Sequence, residues 1–202
     1  VEPPKPIPVL STFAVASSKT FGDASFAIIT RPTSDSSGAI TYSSSNPDVA
    51  TIDTSGNFIS LVAAGDVSFN AAQASTADYA AATKASNTLT VSLGTSTLSA
   101  STFSVASSKT FGDASFAIIT RPTSDSSGAI TYSSSNPDVA SIDASGNFIT
   151  LVAAGDVSFN ATQDATAQYA SAAKVSNTLT VSLGTSNLSA STFSVAASKT
   201  FG

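Results

Sequence analysis

The chain contains no cysteine, histidine, methionine or tryptophan. Each absence removes a class of chemistry. Without cysteine there is no thiol nucleophile, no disulfide and no thiolate metal site; without histidine there is no imidazole base or ligand. A Ser-His-Asp triad is excluded within the chain. Zinc catalysis would need carboxylates alone, which is unusual. Charge is also scarce: 8 Lys and Arg stand against 13 Asp and Glu, for a net charge of −5. That balance gives no basic face for nucleic acid. No apolar run reaches the ~18–20 residues of a membrane span, and no secretory signal is present. The chain opens at Val1 rather than Met, which fits a processed product or a window on a longer polypeptide.

What is present points to order. Ser and Thr make up 66 of the 202 residues and Ala 34, while 42% of residues are hydrophobic. Ser/Thr richness alone would suit a glycosylated stalk or a flexible tract. Here Phe, Ile, Val and Leu recur at regular places among β-branched residues, the composition of a globular all-β protein.

Internal repetition dominates the sequence. Residues 11–23 return at 101–113 with one change, Ala14 to Ser104, and begin again at Ser191, a period of 90 residues. Residues 11–100 and 101–190 align without gaps and differ at 12 of 90 positions, seven of them between Ala72 and Ala85. Ninety residues is too long for a solenoid unit and fits a whole domain. The expected organisation is a Pro-rich linker at 1–8, one repeat at 9–96, a second at 97–186, and the first strand of a third at 187–202. The linker carries four prolines in eight residues, which favours a semi-rigid polyproline II spacer. An SH3-type ligand is the remote alternative.

Within a repeat, alternation and turn signals predict seven or eight short strands. Phe13 and Val15 alternate with small residues, 19–23 reads as a turn, and 26–30 reads as a strand stopped by Pro32. Ile40 and Tyr42 open the next strand. Residues 46–48 turn the chain and 49–52 form a short strand. Residues 53–57 make a hairpin connection with Gly56 free to take positive φ. Strands at 58–62, 67–71 and 89–93 follow, with a turn at 64–66. The Ala-rich stretch 71–85 around Tyr79 reads as a helical turn or a loop. The expected core is Phe13, Val15, Phe26, Ile28, Ile40, Tyr42, Val49, Ile52, Leu61, Val67, Phe69, Leu89 and Val91, with copies 90 residues on. Many short strands in 90 residues is the pattern of a two-sheet sandwich.

Residues 41–53 (TYSSSNPDVATID), 55–57 (SGN) and 62–70 (VAAGDVSFN) resemble the bacterial immunoglobulin-like group 2 domain, and residues 131–143, 145–147 and 152–160 repeat the match. The resemblance implies tandem immunoglobulin-like β-sandwich domains, beads on a string, as in large secreted, surface-attached or phage-structural proteins. Intimin- and invasin-type adhesins use similar modules as stalks. The first strand and residues 21–26 lie outside the motif, which leaves strand order there open.

Candidate chemistry is sparse. Asp48 with Asp53, and Asp138 with Asp143, are the carboxylate pairs, but they sit in turns where Asp bonds its own backbone, and neither repeat contains Glu. Asp53 and Asn57, with Asp143 and Asn147, faintly resemble the start of a calcium loop but lack its distal bidentate Glu. Lys19 and Lys84 are the lysines available for a self-made isopeptide bond, against the simpler reading of solvated side chains. Asn160 and Asn187 fit the glycosylation sequon while their first-repeat counterparts do not. Tyr79 and Tyr169 are either strand locks or an exposed interaction surface for a sugar.

These readings converge on a protein that is not an enzyme and needs no cofactor, calcium being the one candidate. The expected function is a structural module of a long extracellular repeat protein: a stalk, fibre or filament spacer at a bacterial cell surface or on a phage or virion appendage. Its expected partners are neighbouring immunoglobulin-like repeats of the same chain, and identical chains in a fibre. It is not expected to bind nucleic acid or insert in a membrane. Leu93 and Leu98 are expected to dock into adjoining repeats. The alternatives are a multivalent adhesin binding glycan or a host surface, and a polymer subunit assembling by strand exchange through 191–202.

Overall fold

The computed structural model of the 202-residue chain describes residues 2–186. The expected third-repeat strand at 187–202, strand exchange through 191–202, and the Asn187 sequon lie outside the described residues. Within them the chain is built of sixteen strands and one 3-10 turn. It divides into two compact units. Among the described residues, unit 1 comprises 2–102, 122–131 and 161–174, and unit 2 comprises 103–121, 132–160 and 175–186. The bounds depart from the 90-residue period, because unit 1 takes in two segments of the second repeat.

Unit 1 holds β1 (Ser18–Thr20), β2 (Ile40–Ser44), β3 (Ala50–Ile52), β4 (Ile59–Leu61), β5 (Gly65–Val67), β6 (Phe69–Gln73), β7 (Ala82–Ala85) and β8 (Leu89–Ser92), followed by the 3-10 turn Thr97–Ala100. They form a sheet in the order β1-β8-β5, a sheet in the order β2-β6-β7, and the hairpin β3-β4. Alternation sets which side chains face inward. Leu89 and Val91 of β8 are buried while Thr90 and Ser92 are exposed. Phe69, Ala71 and Gln73 of β6 are likewise buried. Leu89, Val91, Phe69 and Ala71 close on Phe13, Val15, Ile28, Tyr42, Val49, Ala50, Ile59 and Val67 in one core. The Phe13 and Tyr42 rings lie 5.5 Å apart.

The segment leading into β1 changes partner partway along. Ala14 bridges Thr30 antiparallel, whereas Ser18–Thr20 runs parallel to β8 with Ser18 opposite Thr90. Val15 lies between these ladders, and the Asn87 side chain serves it. The Val15 N–H donates to Asn87 Oδ1 at 2.8 Å and Asn87 Nδ2 donates to the Val15 carbonyl at 3.1 Å. An amide with one donor and one acceptor replaces the missing strand neighbour.

Unit 2 holds β9 (Ser108–Thr110), β11 (Ala140–Ile142), β12 (Ile149–Leu151), β13 (Gly155–Val157) and β16 (Leu179–Ser182), paired as β13-β16-β9 and β11-β12. Three more strands, β10 (Ile130–Ser134), β14 (Phe159–Gln163) and β15 (Ala172–Val175), cross the unit bounds. Phe103, Val105, Ile118, Val139, Ile149, Val157, Leu179 and Val181 are buried, each 90 residues beyond a core residue of unit 1. Asn177 serves Val105 as Asn87 serves Val15, at 2.8 and 3.1 Å.

Several local expectations are corrected. The stretch 19–23 is not wholly a turn, since Lys19 and Thr20 belong to β1. The stretch 26–30 is no continuous strand and makes only bridges, Phe26 to Ile59 and Thr30 to Ala14. Gly65 and Asp66 begin β5 rather than ending a turn. The Ala-rich stretch is β6, a loop and the edge strand β7, not a helical turn. Ile59 and Ala50 are fully buried, while the expected core residues Phe26, Ile40, Ile52 and Leu61 are only partly so. Of the two leucines expected to dock into adjoining repeats, Leu98 is fully buried and Leu93 is exposed.

Candidate functional site

The residues 53–57 proposed for a cation form a tight turn between β3 and β4. The Gly56 N–H donates to the Asp53 carbonyl at 2.9 Å, and Gly56 takes φ +70. A Cβ there would also stand 2.7 Å from the Tyr42 ring, so glycine is required twice over. The Asp53 carboxylate accepts from the Phe58 N–H at 2.9 Å and from the Ser55 hydroxyl. These bonds, the Phe58 N–H first and then the Ser55 hydroxyl, hold its pKa below the ordinary carboxylate value. Asn57 is engaged as well. Its Nδ2 donates to Ser55 Oγ at 2.9 Å, and its Oδ1 accepts from Arg31 at 2.7 Å. The Arg31 guanidinium also donates to the carbonyls of Ser55 at 2.7 Å and Gly56 at 2.8 Å, above the Tyr42 ring.

The second repeat builds the same lock. Asp143 accepts from Phe148 N–H at 2.8 Å and from the Ser145 hydroxyl, and its pKa is lowered for the same reasons in the same order. Arg121 donates to Asn147 Oδ1 at 2.9 Å. The oxygens offered to a cation are thus already accepting from protein donors, one of them a guanidinium. A lowered carboxyl pKa is also the reverse of what a general acid needs. Among the described residues no three acidic side chains cluster as a metal site, no cavity opens, and no helix is long and apolar enough to cross a membrane.

The two tyrosines occupy matching turns. The Tyr79 N–H donates to Thr76 Oγ1 at 3.1 Å, and the Thr76 N–H donates to the Tyr79 carbonyl at 2.9 Å. The Pro-rich segment lies against this turn, with Ala80 N–H donating to the Pro6 carbonyl at 2.9 Å and Lys5 Nζ to the Thr76 carbonyl at 3.0 Å. Tyr169 and Thr166 repeat the turn within unit 1 at 3.0 and 2.9 Å.

Tyr169 sits in a set of contacts that the sequence did not flag. Its ring meets Phe21 edge-on at 5.3 Å. Gly94 N–H donates to the Gln168 carbonyl at 2.8 Å and Ala170 N–H to the Gly94 carbonyl at 2.9 Å, a short parallel bridge. Ala64 N–H donates to the Ala167 carbonyl at 2.8 Å, and Gln168 Nε2 to the Val62 carbonyl at 3.1 Å. Desolvation first, then the Asp125 carboxylate beside it, raises the Tyr169 pKa. Asp125 is itself lowered by the Thr97 N–H, which donates to it at 2.9 Å. Tyr169 is therefore half-buried and packed, not a free stacking ring. Gly94 is the one residue type that lets these backbones meet: an added Cβ would lie 2.7 Å from the Phe21 carbonyl oxygen and 3.3 Å from the Tyr169 ring.

The lysines proposed for an isopeptide are not buried. Lys19 lies 4.0 Å from Asp23 and 5.0 Å from the Phe26 ring centre, and Lys84 is exposed. Asn160 lies within β14.

Residues 104–173 match the family model described as bacterial Ig-like domain (group 2). The matched stretch lies in the second repeat, and the chain is all-β, with the strand arrangement of tandem immunoglobulin-like β-sandwich domains that the motifs at 41–70 and 131–160 imply. No curated protein sequence matches the chain. Among solved structures, it resembles the Drosophila N-cadherin EC1-4 fragment at 12% identity and TM-score 0.38, covering 88% of this chain and 50% of that one. Domains 4 and 5 of the S-layer protein SbsC match at 14% identity and TM-score 0.30, over 79% of this chain and 80% of that one. A 282-residue C-terminal fragment of intimin, solved with the intimin-binding domain of its translocated receptor, matches at 14% identity and TM-score 0.30, over 85% and 65%. The chain thus spans half the length of the cadherin fragment.

Proposed function

We propose that each repeat is a non-catalytic structural module of a long extracellular repeat protein, a stalk, fibre or filament spacer at a bacterial surface or on a phage appendage. One observation carries this reading. The polar side chains able to do chemistry, Asp53, Asn57, Arg31, Gln73 and Asn87, are spent on holding turns and ladders, and the second repeat spends its copies the same way. Neighbouring repeats of the same chain are the natural partners, and the modules work without a cofactor. Pulling single molecules tests the proposal. Each repeat should unravel as one event releasing roughly 300–320 Å of extended chain, less the length of the folded repeat, since 90 residues extend at about 3.3–3.6 Å each. The force should be unchanged by a calcium chelator. Gradual extension without discrete events would overturn the spacer reading.

A multivalent adhesin is the second reading, favoured by one feature. Phe58 and Phe148 are both 64% exposed, so the same aromatic stands in solvent at a 90-residue interval. Glycan-array binding that disappears when both are changed to serine would support it.

A further inference from the structure

We propose that the end of the second repeat formed by Phe111, Val152 and Gly184 is a docking site for the Thr-x-x-Tyr turn of a third repeat following in the same polypeptide. This rests on the array reading above and adds how successive repeats are joined.

The occupant is identified by the first repeat, where the corresponding surface is covered. There Phe21 meets Tyr169, the Gly94 backbone pairs with the 168–170 segment, and Val62 and Ala64 are bonded by Gln168 and Ala167. Gly94 is buried by these contacts. The second repeat presents the same backbone. Phe111 N–H donates to the Ser182 carbonyl at 2.8 Å, as Phe21 N–H does to Ser92 at 2.9 Å. A Cβ on Gly184 would stand 2.8 Å from the Phe111 carbonyl oxygen, matching 2.7 Å at Gly94. Here, however, Gly184 is exposed and no tyrosine ring lies beside it among the described residues. Phe111 is 47% exposed where Phe21 is half-buried, and Leu183 is 80% exposed against 39% for Leu93.

The surface is therefore a preformed, uncovered copy of an occupied one. Its chemistry is specific: an aromatic edge, a glycine whose N–H and C=O suit one residue of added strand, and the carbonyl of Val152 for a glutamine amide. The same polar backbone groups and the same apolar ring recur in sequence at the same spacing. A repeat-derived turn fits all of them together, and Gln168, unlike Asp78, carries the donor that the Val62 carbonyl uses.

The test compares the 202-residue chain with one extended to complete a third repeat bearing the second repeat's sequence. Hydrogen exchange is read on peptides spanning Gly94 and Gly184. The Gly94 peptide should be protected in both chains and lose protection in Tyr169→Ala. The Gly184 peptide should exchange at least ten-fold more slowly in the extended chain, and revert when the third repeat's tyrosine is changed to alanine or when Phe111→Ser is introduced. Fast exchange at Gly184 beside a third repeat that is itself protected would overturn the docking site while leaving the spacer reading intact. A third repeat that fails to fold would count against both. Within the 202-residue chain alone, Tyr169→Ala that leaves Gly94 protected would overturn the staple on which the proposal is patterned.

Discussion

Replacing Asn87 with alanine removes a side chain that is polar, exposed in part and remote from any candidate chemistry, yet the fold depends on it. Asn87 bonds both backbone groups of Val15, at 2.8 and 3.1 Å, where the chain leaves Thr30 and has not yet joined β8. Val15 is 3% exposed. In Asn87→Ala a buried N–H and a buried C=O lose their partners, and each such group costs about 1–3 kcal/mol. Water reaches the partly exposed rim of this site, so the lower end applies to each, for a total of about 2 kcal/mol. For a domain of 60–100 residues, 1 kcal/mol moves the melting midpoint by roughly 4–8 °C, so Tm of the affected transition should fall by roughly 8–16 °C. Calorimetry with circular dichroism would measure it, and Asn177→Ala supplies an internal replicate because its geometry at Val105 is the same. The two losses should match, and the double variant should be additive within about 0.5 kcal/mol. A loss below about 0.5 kcal/mol in either variant would refute the idea that the amide substitutes for a strand.

Other perturbations test the remaining locks. Gln73 is buried and bonds the Ser34 hydroxyl and the carbonyls of Ser36 and Gly38 at 2.6–2.9 Å; Gln73→Leu should cost about 2–3 kcal/mol by orphaning them, measured by urea unfolding. Arg31→Lys should cost about 1–2 kcal/mol, since an ammonium does not reproduce a fork that reaches Ser55, Gly56 and Asn57 together. Asp53, Asp125 and Asp143 have pKa values lowered in the folded state from 3.8, so their stabilisation is complete above that value and disappears as pH falls below it through the folded values. Unfolding midpoints should therefore decline below about pH 4, and changing Asp53 and Asp143 to asparagine should flatten that decline.

The sequence exposed the repeat, the fold class and the Gly56 turn because each is a local signal. It was less informative where the deciding partner is distant. Lys19 and Thr20 read as part of a turn at 19–23, but they belong to β1, whose ladder comes from β8, about seventy residues on. Ala82–Ala85 has poor strand propensity and becomes the edge of β2-β6-β7 by pairing with β6. Ile59 and Leu61 share one face of β4, and Ile59, which bridges Phe26, is fully buried while Leu61 is only partly buried against the same core, a difference set by the distant Phe26 rather than by the local alternation. Asn87 and Gln73 carried no visible mark, since a polar residue beside a strand is ordinary until its partners are known. Gly94 offered a faint one, a glycine within an otherwise regular alternation.

The concentration of differences between the repeats at 72–85 has a physical basis in what that stretch touches. The core is buried in each copy, and the Arg31 lock and the Asn87 bridge are bonded to their own repeat, and all of them are almost unchanged between the copies. The turn around Tyr79 meets the Pro-rich segment through Pro6 and Lys5, whereas the turn around Tyr169 meets Gly94, Val62 and Phe21. Asp78 and Gln168 differ in the property that matters there. An ionised carboxylate only accepts hydrogen bonds, while an amide also donates, and the Val62 carbonyl needs a donor. Changing Gln168 to aspartate should therefore weaken the contact with Val62 without disturbing either repeat's core. Sequence variation between copies then marks the surface each copy joins, and the next repeats of such an array should vary at the same places.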